Sequence, residues 1–167
     1  ERWVNERLSS SKSTPVDMAQ LAKNIVTPER IVFLEHQTKR DAIVKLASVL
    51  ATAPQIKDGK ELEAEILKRE DLMSTALGRG IAIPHVRLSS VTDLVMAVGI
   101  SRVDIIDFQP IDDVPVRLLF MVAASYTQHS YYLRTLSYFS TRLKNEELRT
   151  SLINAQTPMD AYNLLIA

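Results

Sequence analysis

The sequence predicts an α/β (α+β) fold in which a mixed β-sheet is flanked by helices on both faces. Two apolar runs, 94–100 and 116–122, are continuous rather than alternating, which is typical of strands covered on both sides. Segments before and after them repeat apolar residues every three or four positions, the period of an amphipathic helix. The chain has 167 residues, of which 46% are hydrophobic and 24% charged, so it can bury one core without disulfides.

The first 15 residues are predicted to lie outside this domain. Residues 1–8 are interpreted as the end of a helix from a truncated upstream element, because they lack both an initiator Met and the apolar core of a signal peptide. Residues 9–15 form a Ser-rich stretch, which is typical of a linker. We therefore expect the domain to span 16–167.

Capping and turn residues predict the elements of the N-terminal half. Asp17 is a candidate N-cap, and Thr38 with Asp41 three residues later resembles a capping box with Asp in place of Glu. Pro54 is expected to end the helix that Thr38 opens. The predicted order is a short helix with Met18, Leu21, Ala22 and Ile25 on its apolar face, a strand at 31–34, a helix with Ile43, Leu46, Ala47 and Leu50, and a helix from Lys60 to Leu72.

Glycines, prolines and a change of period predict the remaining elements. After a glycine-bearing loop at 78–80, the β-branched residues Ile81 and Ile83 indicate a strand that ends at His85. The two long apolar runs are the next strands. The last predicted elements are a possible edge strand at 103–108, a turn at 112–115, a helix from Gln128 with Leu133, Leu136, Phe139 and Leu143 on its apolar face, and helices at 146–154 and 159–166.

Charge and composition exclude several classes of function. Twenty basic residues balance twenty acidic ones, so no global field attracts the chain to nucleic acid or to anionic lipid. No apolar run approaches the roughly 18 residues that span a bilayer, so no membrane insertion is predicted. The chain has no Cys, which excludes a cysteine nucleophile and a thiolate metal site and is compatible with the reducing cytoplasm, where we expect the chain to act.

Among the three histidines, His85 has the surroundings of a reactive group. His36 lies in a polar connection between a strand and a helix and is interpreted as an ordinary loop residue. His85 follows Pro84, whose ring fixes φ and removes a backbone donor, at a strand end where reactive groups are common. An imidazole is partly unprotonated near neutral pH and can accept a phosphoryl group without a metal.

Other polar residues near His85 in the sequence can stabilise a phosphoryl group. Arg69 would supply a cationic fork and Thr75 a hydroxyl, while Gly78 and Gly80 would let backbone N–H groups approach an anion. His129, near the start of a predicted helix, would add a second imidazole. Each of these side chains, taken alone, is also compatible with a surface charge, a helix cap or a partly buried polar residue.

A metal-dependent hydrolase built on His85 and His129 is a weak alternative. No carboxylate lies at the spacing of a metal-binding helix or strand motif from either histidine. No metal and no cofactor are predicted.

One string of residues resembles a known family. Three segments carry the resemblance: Lys68-Arg69-Glu70, Ser74-Thr75, and 78–85, whose sequence is Gly-Arg-Gly-Ile-Ala-Ile-Pro-His. Together they resemble the enzyme IIA domains of the phosphoenolpyruvate-dependent sugar phosphotransferase system. The resemblance is to the fructose–mannitol type, which includes nitrogen-regulatory enzyme IIA proteins. The similarity continues downstream to cover roughly 18–167, through Phe108, Asp112, Pro115-Val116, Phe120, His129, Leu133 and Leu136.

The resemblance implies a fold, an activity and a set of site residues. It implies a mixed sheet between helices and a phosphotransferase whose histidine is phosphorylated on Nε2 by the phosphocarrier protein HPr or its nitrogen-branch equivalent. That histidine corresponds to His85. Arg69 corresponds to the family arginine near it, Thr75 to the loop threonine, and His129 to the second histidine that assists.

The chain departs from the family pattern at two places. Asp112-Asp113 stands where Asp-Gly is common, which is expected to alter a turn. Val86-Arg87 follows the active histidine, where small residues or Gly are frequent. Arg87 is therefore a candidate for contact with the phosphoryl group or for partner choice.

The resemblance leaves the downstream partner open. Family members either pass the phosphoryl group to an enzyme IIB domain during sugar uptake or regulate target proteins according to phosphorylation state. An isolated domain behind a Ser-rich linker favours the regulatory, nitrogen-type branch. Residues 1–8 resemble the closing helix of excisionase-like DNA-binding domains, so nucleic acid is a partner only if the upstream element is of that kind. A third hypothesis is an interaction module that keeps the fold without transferring phosphate, against which the presence of all four site side chains argues.

Overall fold

The computed structural model describes residues 17–167, and the predicted helix end and Ser-rich linker lie outside these residues. The described chain forms six α-helices and a six-stranded sheet. The helices are α1 (Met18–Ile25), α2 (Lys39–Leu50), α3 (Gly59–Leu72), α4 (His129–Arg142), α5 (Glu146–Ile153) and α6 (Pro158–Ile166). The strands are β1 (Ile31–Leu34), β2 (Ala76–Gly78), β3 (Ile81–Ala82), β4 (His85–Arg87), β5 (Val95–Ile105) and β6 (Val116–Ala124), and short 3₁₀ turns occupy Pro28–Arg30 and Tyr126–Gln128.

The sheet is mixed, as predicted. Its order is β1-β5-β6-β3-β2, and β4 also pairs with β6. β1 is parallel to β5, β5 is antiparallel to β6, and both β3 and β4 run parallel to β6. The long strands β5 and β6 therefore form the centre from which the site strands β3 and β4 extend.

Helices cover both faces of the sheet, which confirms the predicted architecture. Along β5, Val95 and Ala97 pack into the core beneath α2 and α3, whereas Met96 and Val98 pack into the core beneath the other helices. This alternation follows from the two-residue period of a strand. Both faces of β5 are buried here, so the side chains on both faces are apolar. This burial explains why the apolar run in the sequence is continuous.

Helix starts agree closely with the capping residues. The side chains of Asp17 and Thr38 accept hydrogen bonds from the backbone N–H groups of Gln20 and Asp41. Asp58 caps α3 in the same way by accepting from the Glu61 N–H group, so α3 begins at Gly59. Among residues 17–167, no helix has the length and apolar character required to cross a membrane.

Three predicted details are wrong. The first concerns His85, which is the first residue of β4 and not the last residue of a strand. Pro84 lies between β3 and β4, which both pair with β6 in the same register: Ile81 lies opposite Leu118, and His85 lies opposite Val122. Residues 103–105 are not a separate edge strand, since β5 continues through a register irregularity to Ile105.

The third error concerns the apolar face of α4. Leu133 is 50% exposed, while Tyr132, Thr135 and Phe139 are the buried residues of the helix. Phe139 and Leu143 of the predicted face are buried and Leu136 is partly buried, so Leu133 is the one residue of that face that is exposed.

Gly99 in β5 allows the side chains of Leu34 in β1 and Leu46 in α2 to pack closely against the β5 backbone. A Cβ atom at this position would lie 2.7 Å from Cδ1 of Leu34 and 3.5 Å from Cδ2 of Leu46. We expect Gly99→Ala to lower the free energy of unfolding by about 1–3 kcal/mol through overpacking. Denaturant titration checks this. In a Leu34→Val background, where the Cδ atoms are removed, the same substitution is expected to cost at least about 0.5 kcal/mol less; equal costs in both backgrounds would exclude this contact as the cause.

Candidate active site around His85

A local hydrogen bond fixes the imidazole of His85. Its Nδ1 atom lies 2.6 Å from the carbonyl oxygen of Ile83, two residues earlier. A carbonyl oxygen can only accept, so Nδ1 carries the proton and Nε2 is left with its lone pair. Pro84 between them is buried, and its own carbonyl accepts the N–H of Val122 at 2.9 Å. The hydrogen bond to β6 therefore fixes Pro84, and with it the short segment from Ile83 to His85 that orients the imidazole ring.

His85 is half-buried at a cavity of about 440 Å³. The predicted residues Arg69 and Thr75 line the same cavity, so the structure brings three of the predicted site residues together. Its other walls are mostly apolar, and no lining residue carries a carboxylate. The lone pair on Nε2 and the guanidinium of Arg69 make this cavity suitable for an anionic electrophile.

Glu70 organises the loop that carries Thr75, a role that the sequence reasoning missed. Its carboxylate accepts from the Thr75 backbone N–H at 2.9 Å and from the Thr75 hydroxyl at 2.8 Å. The ammonium group of Lys39 lies 3.5 Å from the same carboxylate, whose side chain is 1% exposed. Because the hydroxyl proton of Thr75 is engaged by Glu70, the prediction that Thr75 donates to a phosphoryl group stays a prediction.

The sequence carries a signal for Glu70. Leu62, Ile66 and Glu70 follow one another at intervals of four on α3, and all three are buried. A carboxylate on the apolar stripe of a helix must find partners, because an unpaired buried charge is very unfavourable. That spacing predicts an internal network rather than a surface charge.

Tyr132 forms a second wall beside His85 and was also missed. Its ring centroid lies 5.7 Å from that of His85, with the planes tilted by 53°. Burial raises the pKa of Tyr132 to about 12, and the positive charges of Arg69 and Arg87 act in the opposite direction. Both guanidinium groups therefore lie close enough to this tyrosine to influence it.

His129 is the first residue of α4, and its side chain is exposed. It does not line the cavity. Two other residues on the same helical face do reach the site: Tyr132 contacts His85, and Leu136 lines the cavity. His129 is thus one turn beyond the contact with His85, and its assisting role stays a prediction. His36 lies in the loop between β1 and α2 and does not line this cavity.

Gly78 and Gly80 shape the turn between β2 and β3. Both have positive φ, 86° and 78°. A Cβ at Gly78 would lie 3.0 Å from Oδ2 of Asp112, and one at Gly80 would lie 3.2 Å from the Pro115 carbonyl oxygen. These contacts account for both glycines structurally. Neither lines the cavity, so their predicted phosphate binding stays a prediction.

Asp112 and Asp113 lie in a turn that the carboxylate of Asp112 stabilises, and the expected change of this turn relative to the family stays a prediction. Asp112 accepts from the backbone N–H groups of Arg79 and Val114, and these hydrogen bonds, led by that of Arg79, lower the pKa of its carboxyl group below the ordinary value. Asp113 adopts φ 59°, the left-handed conformation that suits the Gly common at this position. The turn thus accepts Asp where Gly is usual.

Metal ligands are not clustered within residues 17–167: no group of three or more His, Asp or Glu side chains has a suitable arrangement. At His85 itself the structure provides an oriented imidazole, with the guanidinium of Arg69 in the same cavity.

Removing the carboxylate of Glu70 should loosen the Thr75 loop and leave buried donors unpaired. We expect Glu70→Ala to lower the free energy of unfolding by about 2–4 kcal/mol. Glu65→Ala on the same helix is the matched control and should change it by no more than about 0.5 kcal/mol. Urea titration of both variants measures the difference, and equal effects would contradict the assigned network.

Comparison with known proteins identifies the family of the chain. Residues 24–167 match the family described as phosphoenolpyruvate-dependent sugar phosphotransferase system, EIIA 2. The fructose-specific EIIABC component of Bacillus subtilis is 36% identical over 124 residues, which are 74% of this chain and 19% of that protein. The fructose-specific EIIA component of Haloferax volcanii is 31% identical, covering 84% of this chain and 92% of that protein. The nitrogen regulatory protein of Pseudomonas aeruginosa is 30% identical, covering 86% and 94%.

Solved structures show the same fold. The nitrogen regulatory protein IIA-Ntr from Neisseria meningitidis has a TM-score of 0.79 at 23% identity, covering 87% of this chain and 99% of that one. The mannitol IIA protein of Escherichia coli has a TM-score of 0.70 at 22% identity, covering 84% and 98%. The chain belongs to the EIIA 2 family of the phosphoenolpyruvate-dependent sugar phosphotransferase system.

Proposed function

We propose that the chain is a phosphohistidine carrier that accepts a phosphoryl group on Nε2 of His85 from an HPr-like phosphocarrier protein. The observation that supports this most directly is the hydrogen bond from Nδ1 to the Ile83 carbonyl, which leaves Nε2 as the nucleophile. The predicted cytoplasmic location is part of the same proposal.

The transfer step needs no group beyond the two proteins. The lone pair of Nε2 attacks the phosphorus atom carried by the donor histidine, and a new N–P bond forms. The donor's N–P bond breaks, and its electron pair returns to the donor imidazole. Throughout, the Nδ1 proton stays on His85, while Arg69 offsets the negative charge of the transferred group.

The rim of the cavity suits a protein donor. Leu72 and Met73 are 79% and 78% exposed, and Leu77 is 45% exposed, yet all three line the cavity next to His85. Exposed apolar side chains grouped around a reactive residue are typical of a protein-binding surface. A protein that carries a phosphohistidine can cover these residues while its phosphoryl group reaches Nε2.

The recipient of the phosphoryl group has two candidates. The regulatory, nitrogen-type function is the first, supported by nitrogen regulatory relatives at 30–33% identity. Transfer to a IIB domain in fructose or mannitol uptake is the second, supported by the fructose-specific relative at 36% identity and by a solved complex of mannitol enzyme IIA with phosphorylated enzyme IIB from Escherichia coli.

Phosphorylation by purified donors tests the proposal. HPr and its nitrogen-branch counterpart, each charged with labelled phosphate, are incubated side by side with the chain. We expect acid-labile label on the native protein, no label on His85→Ala and normal label on His36→Ala. His129→Ala is expected to slow labelling without abolishing it. The faster of the two donors identifies the branch, and full labelling of His85→Ala would rule out His85 as the acceptor.

A further inference from the structure

Arg87 lies on the same side of β4 as His85. The two residues are separated by one position, and in a strand such residues point to the same face. Val86 between them is fully buried, whereas His85 and Arg87 are half-buried. The guanidinium of Arg87 therefore emerges beside the imidazole.

One tyrosine contacts both side chains. The Cζ atom of Arg87 lies 5.7 Å from the centroid of the Tyr132 ring, which is also the ring 5.7 Å from His85. Arg87 also lies 6.0 Å from the ring of Tyr126, which is 59% exposed. The guanidinium is thus held at the edge of the His85 site by two aromatic rings.

Arg87 has no hydrogen-bond acceptor or carboxylate partner within residues 17–167. Other arginines of this part of the chain do: Arg117 pairs with Asp104, and Arg102 donates to the carbonyl groups of Ile153 and Ala155. A half-buried guanidinium whose five donors lack an acceptor is suited to bind an anion. A phosphoryl group on His85, which shares the Tyr132 ring with Arg87, would be such an anion.

We infer that Arg87 is a second ligand of the phosphoryl group on His85, acting from the strand while Arg69 acts from the end of α3. The inference rests on the proposed phosphorylation of His85. It assigns a function to one of the positions where the chain departs from the common family pattern.

Phosphorylation would then move Arg87 from the tyrosine rings to the phosphoryl oxygens. A charge-assisted hydrogen bond to a dianion is stronger than a cation–π contact at a partly exposed site. Tyr126 would lose its cationic neighbour and become a surface that differs between the two phosphorylation states. A partner that contacts Tyr126 could distinguish them.

Phosphorus NMR of the phosphorylated chain tests the inference without a cognate donor. Potassium phosphoramidate phosphorylates the native protein, Arg87→Gln and the control Arg134→Gln, whose exposed side chain lies on α4. The pH titration of the phosphohistidine signal then gives the pKa of the phosphoryl group. Loss of a nearby cation should raise this pKa by about one unit in Arg87→Gln. Arg134→Gln should titrate like the native protein.

The possible outcomes are distinct. Titration of Arg87→Gln at the native pKa would overturn the role of Arg87 alone. If every phosphohistidine signal of the native protein is also present in His85→Ala, so that none belongs to His85, both this inference and the proposed function are overturned. Should Arg87→Gln fail to fold, the guanidinium resonance of Arg87 in the native protein serves as the measurement: it is expected to shift on phosphorylation, and an unchanged resonance would contradict the inference.

Discussion

The hydrogen bond between Nδ1 of His85 and the Ile83 carbonyl is the interaction on which the site depends. It selects the tautomer in which Nε2 is unprotonated, and it sets the direction in which that atom points. The carbonyl groups of Gly80 and Pro84 accept from β6, so the carbonyl of Ile83 between them faces away from β6 and is available to the imidazole. The pairing with β6 keeps one register on both sides of Pro84, and the central strand thus positions the ring of His85.

The rest of the fold supplies walls around this imidazole. Glu70, buried in the last turn of α3, accepts two hydrogen bonds from Thr75 and so fixes the loop at 73–75. Tyr132 on α4 closes the other side. These contacts join helices on opposite faces of the sheet at one end of β4. Positioning of this kind matters for phosphoryl transfer, in which the protein contributes mainly geometry and charge.

Residues adjacent in sequence were predictable, and contacts through space were largely not. The strand at 31–34 and the caps Asp17 and Thr38 follow from local patterns. The site roles of Glu70 and Tyr132 depend on which residues of a helix are buried, and on the first turn of α4 Tyr132 is buried where the sequence analysis predicted Leu133. Gly78 and Gly80 illustrate the limit of motif reading, because their close contacts are with Asp112 and the Pro115 carbonyl, which lie far away in the sequence.

The tautomer of His85 is the most direct test of this account. Long-range nitrogen–proton correlation spectra of the native protein, labelled with nitrogen-15 at histidine and recorded above the pKa of the imidazole, distinguish a protonated from an unprotonated ring nitrogen. We expect Nδ1 of His85 to carry the proton and Nε2 to be unprotonated, and His85→Ala identifies the signals. A protonated Nε2 with a bare Nδ1 would contradict the hydrogen bond to Ile83 and the assignment of Nε2 as the nucleophile.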